Sequence, residues 1–525
     1  MTTVRVPPGF ARGESQAAIP GRYTRGNLVR WQNGILKPVG GWNLLTKEPF
    51  RTVPRLSFTW LDEKFVRHTG FICDNNVILL ENSIFTDITP HDWVDVQEAY
   101  FGYGSGRYGT LNYGDDTVNR DTSTPTGNDP TNYRVMAQQP LAFSADKWGA
   151  GEFLFSSSAD GRIWVHIPHE VDQQGNETKP AELKICPNAP RKNQSFLVTD
   201  ERHLMTFGGA GVANRVAWSD QGNREGWNYT DVEGQAGYFD LQDAGTIYTA
   251  RKIPGAILIF TQTSVWVCRY IGYPNFYGFT KLAESVAPVS PQSVVVAANR
   301  CFWWGQGQFY KYEGGVVTPI PCDLGMDPFE EMDGYFGPRR ICGGFNGTYN
   351  EIWWFYPQRG QNVAFGRPEN NRYVIYNFQE GWWADGYMPR SFYSSSPIDN
   401  YPMAGSSDGR VYAHEQGYTS SGAPIADERW VEIETMSFED GDRLYTVTQM
   451  QTDSGGAPEN VRFEFDCRMA RGGAALPTEK YTPRPDGYVD ARFTARDFTM
   501  RVYGTVDKPW AVGALNFDVK PRGKK

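Results

Sequence analysis

Two stretches 248 residues apart (408 minus 160) spell nearly the same thing: Asp160-Gly161-Arg162-Ile163-Trp164-Val165-His166 and Asp408-Gly409-Arg410-Val411-Tyr412-Ala413-His414. Each follows a run of small residues and reads as a strand, a two-residue Asp-Gly turn and a second strand. Asp-Gly tolerates the positive φ of a type I′ turn, whose twist suits a β-hairpin. One such hairpin is commonplace. Recurrence with similar flanks predicts that one unit is used more than once, and so a repeat-built β protein.

Composition agrees. Aromatic residues make up 14% of the 525 residues, with 17 Trp beside 56 Gly and 34 Pro. Aromatics favour strands and Gly and Pro punctuate them, so the chain is expected to be all-β. From 141 to 417 strand-like segments alternate with turn signals: 152–167, 202–219, 256–271, 293–313, 340–356, 371–388 and 401–415. Their spacing, about 40–50 residues per four-stranded unit, matches propeller blades. Trp doublets at 303/304, 353/354 and 382/383 place bulk on both faces of a strand, as a blade packed between two neighbours requires. An ordinary sandwich holding three unrelated aromatic pairs is the simpler alternative.

The expected organisation is an extended N-terminal arm (1–50), a β-propeller body (51–425) and a smaller C-terminal antiparallel β module (426–525) ending in a basic tail. Residues 100–135, with Gly-Tyr repeats and then Asp, Thr, Asn and Pro, read as a surface loop or insertion. No apolar run approaches the roughly 20 residues that would span a bilayer.

Catalytic signals are sparse. Seven Cys form an odd, scattered set without a C-x-x-C pair, which reads as reduced thiols in packed strands. His166 and His169 give H-x-x-H, but no further ligand follows at zinc-site spacing. Nucleophile elbow, Walker loop, dinucleotide fingerprint and H-E-x-x-H are all missing from the sequence. The 158–164 turn approaches the Asp-box of sialidases, but that pattern separates Asp from Gly. A propeller glycosidase would need two facing carboxylates, with Asp240, Asp243, Glu330, Glu331 and Asp333 among the candidates. The expectation is a non-enzymatic protein with no catalytic residues, cofactor or metal.

Charge is asymmetric. Residues 1–60 hold nine Lys/Arg against two acids, net +7; residues 459–525 hold thirteen against nine, net +4; the remaining 61–458 therefore carry −20 of the chain's −9. Such a body repels phosphate rather than gripping it. The basic ends suit docking on an acidic neighbour.

Residues 21–42 run Gly21-Arg22-Tyr23, then Asn27-Leu28-Val29-Arg30-Trp31-Gln32-Asn33-Gly34, then Lys37-Pro38-Val39-Gly40-Gly41-Trp42. This resembles the opening of bacteriophage virion proteins whose arm carries an N-L-V-R-W, G, P-x-G-G-W pattern. The Gly-Tyr tract at 101–114, Trp148-Gly149, the Ser-Ala-Asp-Gly-Arg hairpin, Phe378 to Trp383, Tyr412-x-His414-Glu415-x-Gly417 and Gly441-Asp442-Arg443 are similar to that class in order along the chain. The resemblance is to tail nozzle, or DNA-stabilising, head-to-tail proteins of short-tailed phages. It implies a β-propeller protomer, a hexameric ring around a channel, and a place in the virion tail after synthesis in the host bacterial cytoplasm. Implied partners are a neighbouring adaptor or portal-proximal ring, tail fibres, and double-stranded DNA passing without sequence-specific contacts. The alternatives are a glycan-binding or glycan-cleaving propeller, with Trp382 and Trp383 as sugar platforms, or an adaptor or minor tail protein. Arg22, Arg25, Arg30, Trp31 and Trp42 are the candidate docking residues of the arm. With that role, removing residues 1–42 should leave a folded body that fails to join the tail. A strap across its own subunit is the competing reading of the arm.

Overall fold

Seven four-stranded antiparallel sheets follow one another in a computed structural model that describes residues 2–13, 21–94, 140–149, 151–171, 177–231, 233–361, 368–438, 443–452, 457–471 and 473–523. The loop expected at 100–135 lies outside the described residues. Six sheets are continuous in sequence, at 54–87, 143–185, 195–240, 247–284, 295–320 and 342–387 (blades 1 to 6). The seventh combines Phe392–Ser394, Met403–Gly405 and Val411–His414 with Trp42–Leu44 from the N-terminus. Each blade's first strand packs beside the first strand of the next, and Phe392–Ser394 of blade 7 returns to Pro54–Leu61 of blade 1. The ring closes as a seven-bladed β-propeller.

Four of the six doublet Trp behave as strand alternation requires. Trp303 packs with Phe260 and Val265 of blade 4, while Trp304 meets Tyr356 of blade 6. Trp353 stacks on Tyr393 of blade 7, and Trp354 meets Phe309 of blade 5. In the third pair Trp383 meets Phe309, but Trp382 turns to the N-terminal segment and packs on Trp31.

The inner strands of blades that are not neighbours are also tied together. Lys252 of blade 4 reaches Asp146 of blade 2 at 2.9 Å and the Val198 carbonyl of blade 3 at 3.0 Å. Gln292, just ahead of blade 5, donates to the Phe143 carbonyl of blade 2 at 2.9 Å.

The repeated Asp-Gly hairpins form with a different turn from the expected one. Gly161 and Gly409 have φ of +67° and +80°, but neither Asp does, so type I′ geometry is absent. The loops are longer than two residues, because Phe155 pairs with Trp164 and Gly405 with Val411. The glycines answer to the next blade instead. A Cβ on Gly161 would stand 2.7 Å from Lys192 Cα, and one on Gly409 2.4 Å from the Phe50 carbonyl oxygen. The Asn193 N–H donates to the Gly161 carbonyl, and the Phe50 N–H to the Gly409 carbonyl. Each donor lies just before the first strand of the following blade, so the repeat is a blade-to-blade latch.

The C-terminal module is a two-sheet sandwich rather than strands added to the last blades. One sheet joins Thr2–Val4, Leu515–Pro521 and Tyr445–Thr452, with Tyr488–Val489 and Phe493–Ala495 on the last of these. The other runs Arg25–Asn27, Trp430–Ser437, Asp497–Gly504, Val461–Arg468, Glu479–Tyr481. Phe438, Phe465, Phe493, Phe498 and Phe517 interlock between them. Lys520 and Pro521, near the end expected to be a basic tail, are the last residues of a strand.

Candidate functional site: the N-terminal strap

The first 50 residues cannot build a core of their own, and they complete cores elsewhere in the same chain. Thr2–Val4 and Arg25–Asn27 add one strand to each sandwich sheet, and Trp42–Leu44 supplies the outer strand of blade 7. Between them Val29–Gln32 and Ile35–Pro38 form a hairpin whose two-residue turn, Asn33 (φ +52°) and Gly34 (φ +76°), has type I′ geometry. The Asn-Gly pair is the signal for this hairpin, hidden in a stretch expected to be an extended arm.

The expected docking residues divide. Trp31 and Arg30 are 1% exposed and Trp42 is 8% exposed, so these three are interior residues and offer no surface to a neighbour. Trp31 sits among Phe10, Tyr23 and Trp382 at ring distances of 5.3–5.4 Å. Trp42 stacks on His414 at 5.4 Å. The docking expectation is corrected for them: burying aromatic faces within the chain satisfies the same apolar surface an outside partner would have covered. Arg22 and Arg25 remain partly exposed and lie near acids of the same chain, Asp323 at 3.4 Å and Glu432 and Glu434 at 3.8 Å.

Arg30 anchors the strap. Its guanidinium grips Glu415 with two hydrogen bonds of 2.9 and 2.6 Å, reaches Glu351 at 3.0 Å, and lies over the Tyr349 ring at 3.7 Å. Burial works against the arginine charge, but Glu351 and Glu415 outweigh it and hold the group above its ordinary pKa. Glu351 is fully buried at the start of a blade 6 strand. Burial pushes its carboxyl up to about 7, against the pull of Arg30 and with added repulsion from Glu415. Arg12 makes a second anchor, bidentate to Asp385 at 3.1 and 2.8 Å, where Arg372 also binds at 2.7 Å. A third follows the strap: Arg55 bridges Asp74 and Glu369 at 2.7–2.8 Å. The basic N-terminus thus meets the acidic body of its own chain. Each pair needs one placement of the strap, so the charges set register where apolar contacts alone would tolerate sliding.

Three of the glycosidase candidates are engaged in separate structural contacts. Asp240 pairs with Arg215 in blade 3, while Glu331 binds Arg372 and Asp333 accepts the N–H groups of Tyr335 and Phe336 between blades 5 and 6. Trp382 and Trp383, proposed as sugar platforms, are 2% and 1% exposed and cannot stack on a glycan. All seven cysteines are free thiols and six are buried, as packed strands predict. Among the described residues no cluster of three or more His, Cys, Asp or Glu could hold a metal, and no helix is long and apolar enough to cross a membrane.

No known protein family matches the chain, and no curated protein matches it. Solved structures give distant likenesses. Virginiamycin B lyase from Staphylococcus aureus is 11% identical over 66% of this chain and 91% of its own, with a TM-score of 0.31. A catalytically inactive form of that lyase with quinupristin gives 10% identity over 70% and 96%, TM-score 0.32. Hsv2 of Kluyvelomyces marxianus gives 8% over 56% and 72%, TM-score 0.29.

Proposed function

We propose that this chain is a structural component of a tailed bacteriophage particle, a ring-forming tail nozzle or conduit subunit that retains packaged DNA and channels it during ejection. The carrying observation is the strap: one N-terminal segment is built into both sandwich sheets and the closing blade. A wall element loaded by DNA must resist separation of its parts, and strands shared between modules supply that resistance. Two further features support the reading. The resemblance runs in order through most of the chain and implies a propeller protomer, which is the architecture of the body. The body is also acidic, with −20 over residues 61–458. Walls of that sign let DNA slide without sticking.

The conduit in this reading lies between subunits, in a ring of six around a common channel. Its neighbours would be an adaptor or portal-proximal ring and tail fibres. Electron microscopy of purified protein and of tails tests the proposal: rings with an axial channel are expected. Strictly monomeric particles in both would overturn it. Cross-linking within virions separates nozzle from adaptor, since an adaptor contacts the portal and a nozzle the tail tip.

A further inference from the structure

The repeat places His166 of blade 2 and His414 of blade 7 at the same position. Trp164 and Tyr412 pair with Ile185 and Leu44, and His166 and His414 with Leu183 and Trp42, in the same register. The chain uses the two imidazoles differently. At His414 the environment is complete: Nε2 accepts a 2.8 Å hydrogen bond from Arg390 Nε, and the guanidinium lies over Tyr412 at 4.7 Å and Trp42 at 4.9 Å. Among the described residues that arginine forms no ion pair with a carboxylate; an imidazole and aromatic faces hold it.

At His166 no arginine side chain arrives. The ring is 8% exposed and has no hydrogen-bond partner among the described residues. It faces a cavity of about 230 Å³ between blades 1 and 2, lined also by Trp60, His68, Leu79, Glu81 and His169. The facing follows from register: His166 sits opposite Phe153, and Phe153 stacks on Trp60 of blade 1 at 4.6 Å. Opposite, His68 lies between Asp62 at 3.3 Å and Glu81 at 3.9 Å. Burial lowers His166 to about 4, so it is neutral, and able to accept a hydrogen bond, in neutral solution. No Lys or Arg lines the cavity. Its volume is below the roughly 300–1,000 Å³ of sites for drug-sized ligands, which fits one side-chain-sized group.

We infer that the cavity between blades 1 and 2 is a binding site for a guanidinium group, with His166 as neutral acceptor and Glu81 as counter-ion. Blade 7 contains the filled counterpart in Arg390. The guanidinium comes either from a free small molecule or from an arginine of a neighbouring protein, and this inference does not depend on the tail-conduit reading.

The test is calorimetric titration of the full chain with N-acetyl-arginine amide, its citrulline counterpart and a short peptide with one central arginine, with His166 ring signals followed by NMR. Saturable binding of an arginine probe that shifts the His166 signals is expected, with citrulline at least tenfold weaker. Glu81→Gln, at a partly exposed side chain, should weaken the arginine probe at least tenfold. Binding of the amide identifies a free-ligand site; binding of the peptide alone identifies a partner's arginine. Equal binding of citrulline, tighter binding of zinc alone or of a neutral hexose, or no binding of either arginine probe would overturn the inference.

Discussion

Replacing Arg30 with Met tests whether the strap is held by buried charge. The substitution keeps the stem's apolar volume but leaves Glu351, fully buried, and Glu415, with 13% of its side chain exposed, without their shared cation. Removing one partner of a buried pair costs about 3–5 kcal/mol. The loss should depend on pH, with a definite sign. Glu351 already stands at about 7 in the folded parent, above the ordinary glutamate value, and without Arg30 it moves higher. A raised carboxyl makes the folded state bind more protons than the unfolded one. Stability is then lost as pH rises through the interval between the two values, by about 1.4 kcal/mol per unit. Urea unfolding followed by Trp fluorescence should show Arg30→Met much weakened near pH 8 and substantially recovered near pH 5.5. Adding Glu351→Leu should restore most of the loss at the higher pH, since an apolar replacement of a buried pair is close to neutral. A loss under ~1 kcal/mol near pH 8, or the same loss at both pH values, would refute the argument.

Deleting residues 1–45 removes five strands and takes Phe10, Tyr23, Trp31 and Trp42 from the core. Each large aromatic is worth about 3–5 kcal/mol, against a whole-domain stability of about 5–15. Far-UV circular dichroism and limited proteolysis should therefore report an unfolded chain rather than a folded body unable to assemble; a protease-resistant, cooperatively melting truncation would count against the strap. Gly409→Ala forces a side chain into a left-handed backbone against the Phe50 carbonyl and should cost about 1–3 kcal/mol in denaturant midpoint. An unchanged midpoint would remove the latch between blades 7 and 1. Burial pushes the thiols of Cys186, Cys301, Cys322, Cys342 and Cys467 up to about 12, so a colorimetric thiol reagent near neutral pH should react with them only on unfolding, Cys322 first. Rapid reaction of all of them in the native protein would contradict the packing.

The blades were legible because their signals are local. Alternation places Trp303 and Trp304, or Trp353 and Trp354, on opposite faces whatever the rest of the chain does. Gly161 and Gly409 mark a repeated turn in any context. Whether the arm straps its own subunit or docks on a neighbour is not legible locally, because its partners are remote: Arg30 meets Glu415 and Glu351, more than 300 positions away, and Trp42 meets His414. Composition showed that the first 50 residues need a surface, and charge showed that the surface is acidic. Neither says whose surface it is.

By itself, then, the sequence determined an all-β repeat architecture with aromatic-filled blades, since period-two alternation and turn chemistry act over a few residues. Tertiary structure decided that there are seven blades and that the N-terminus closes the last one. It decided equally that the interior charges pair within the chain, and that His414 is filled while His166 faces a cavity. Each of those outcomes depends on which distant segments come to lie side by side. Chain closure sets that, and no local pattern of residue types encodes it.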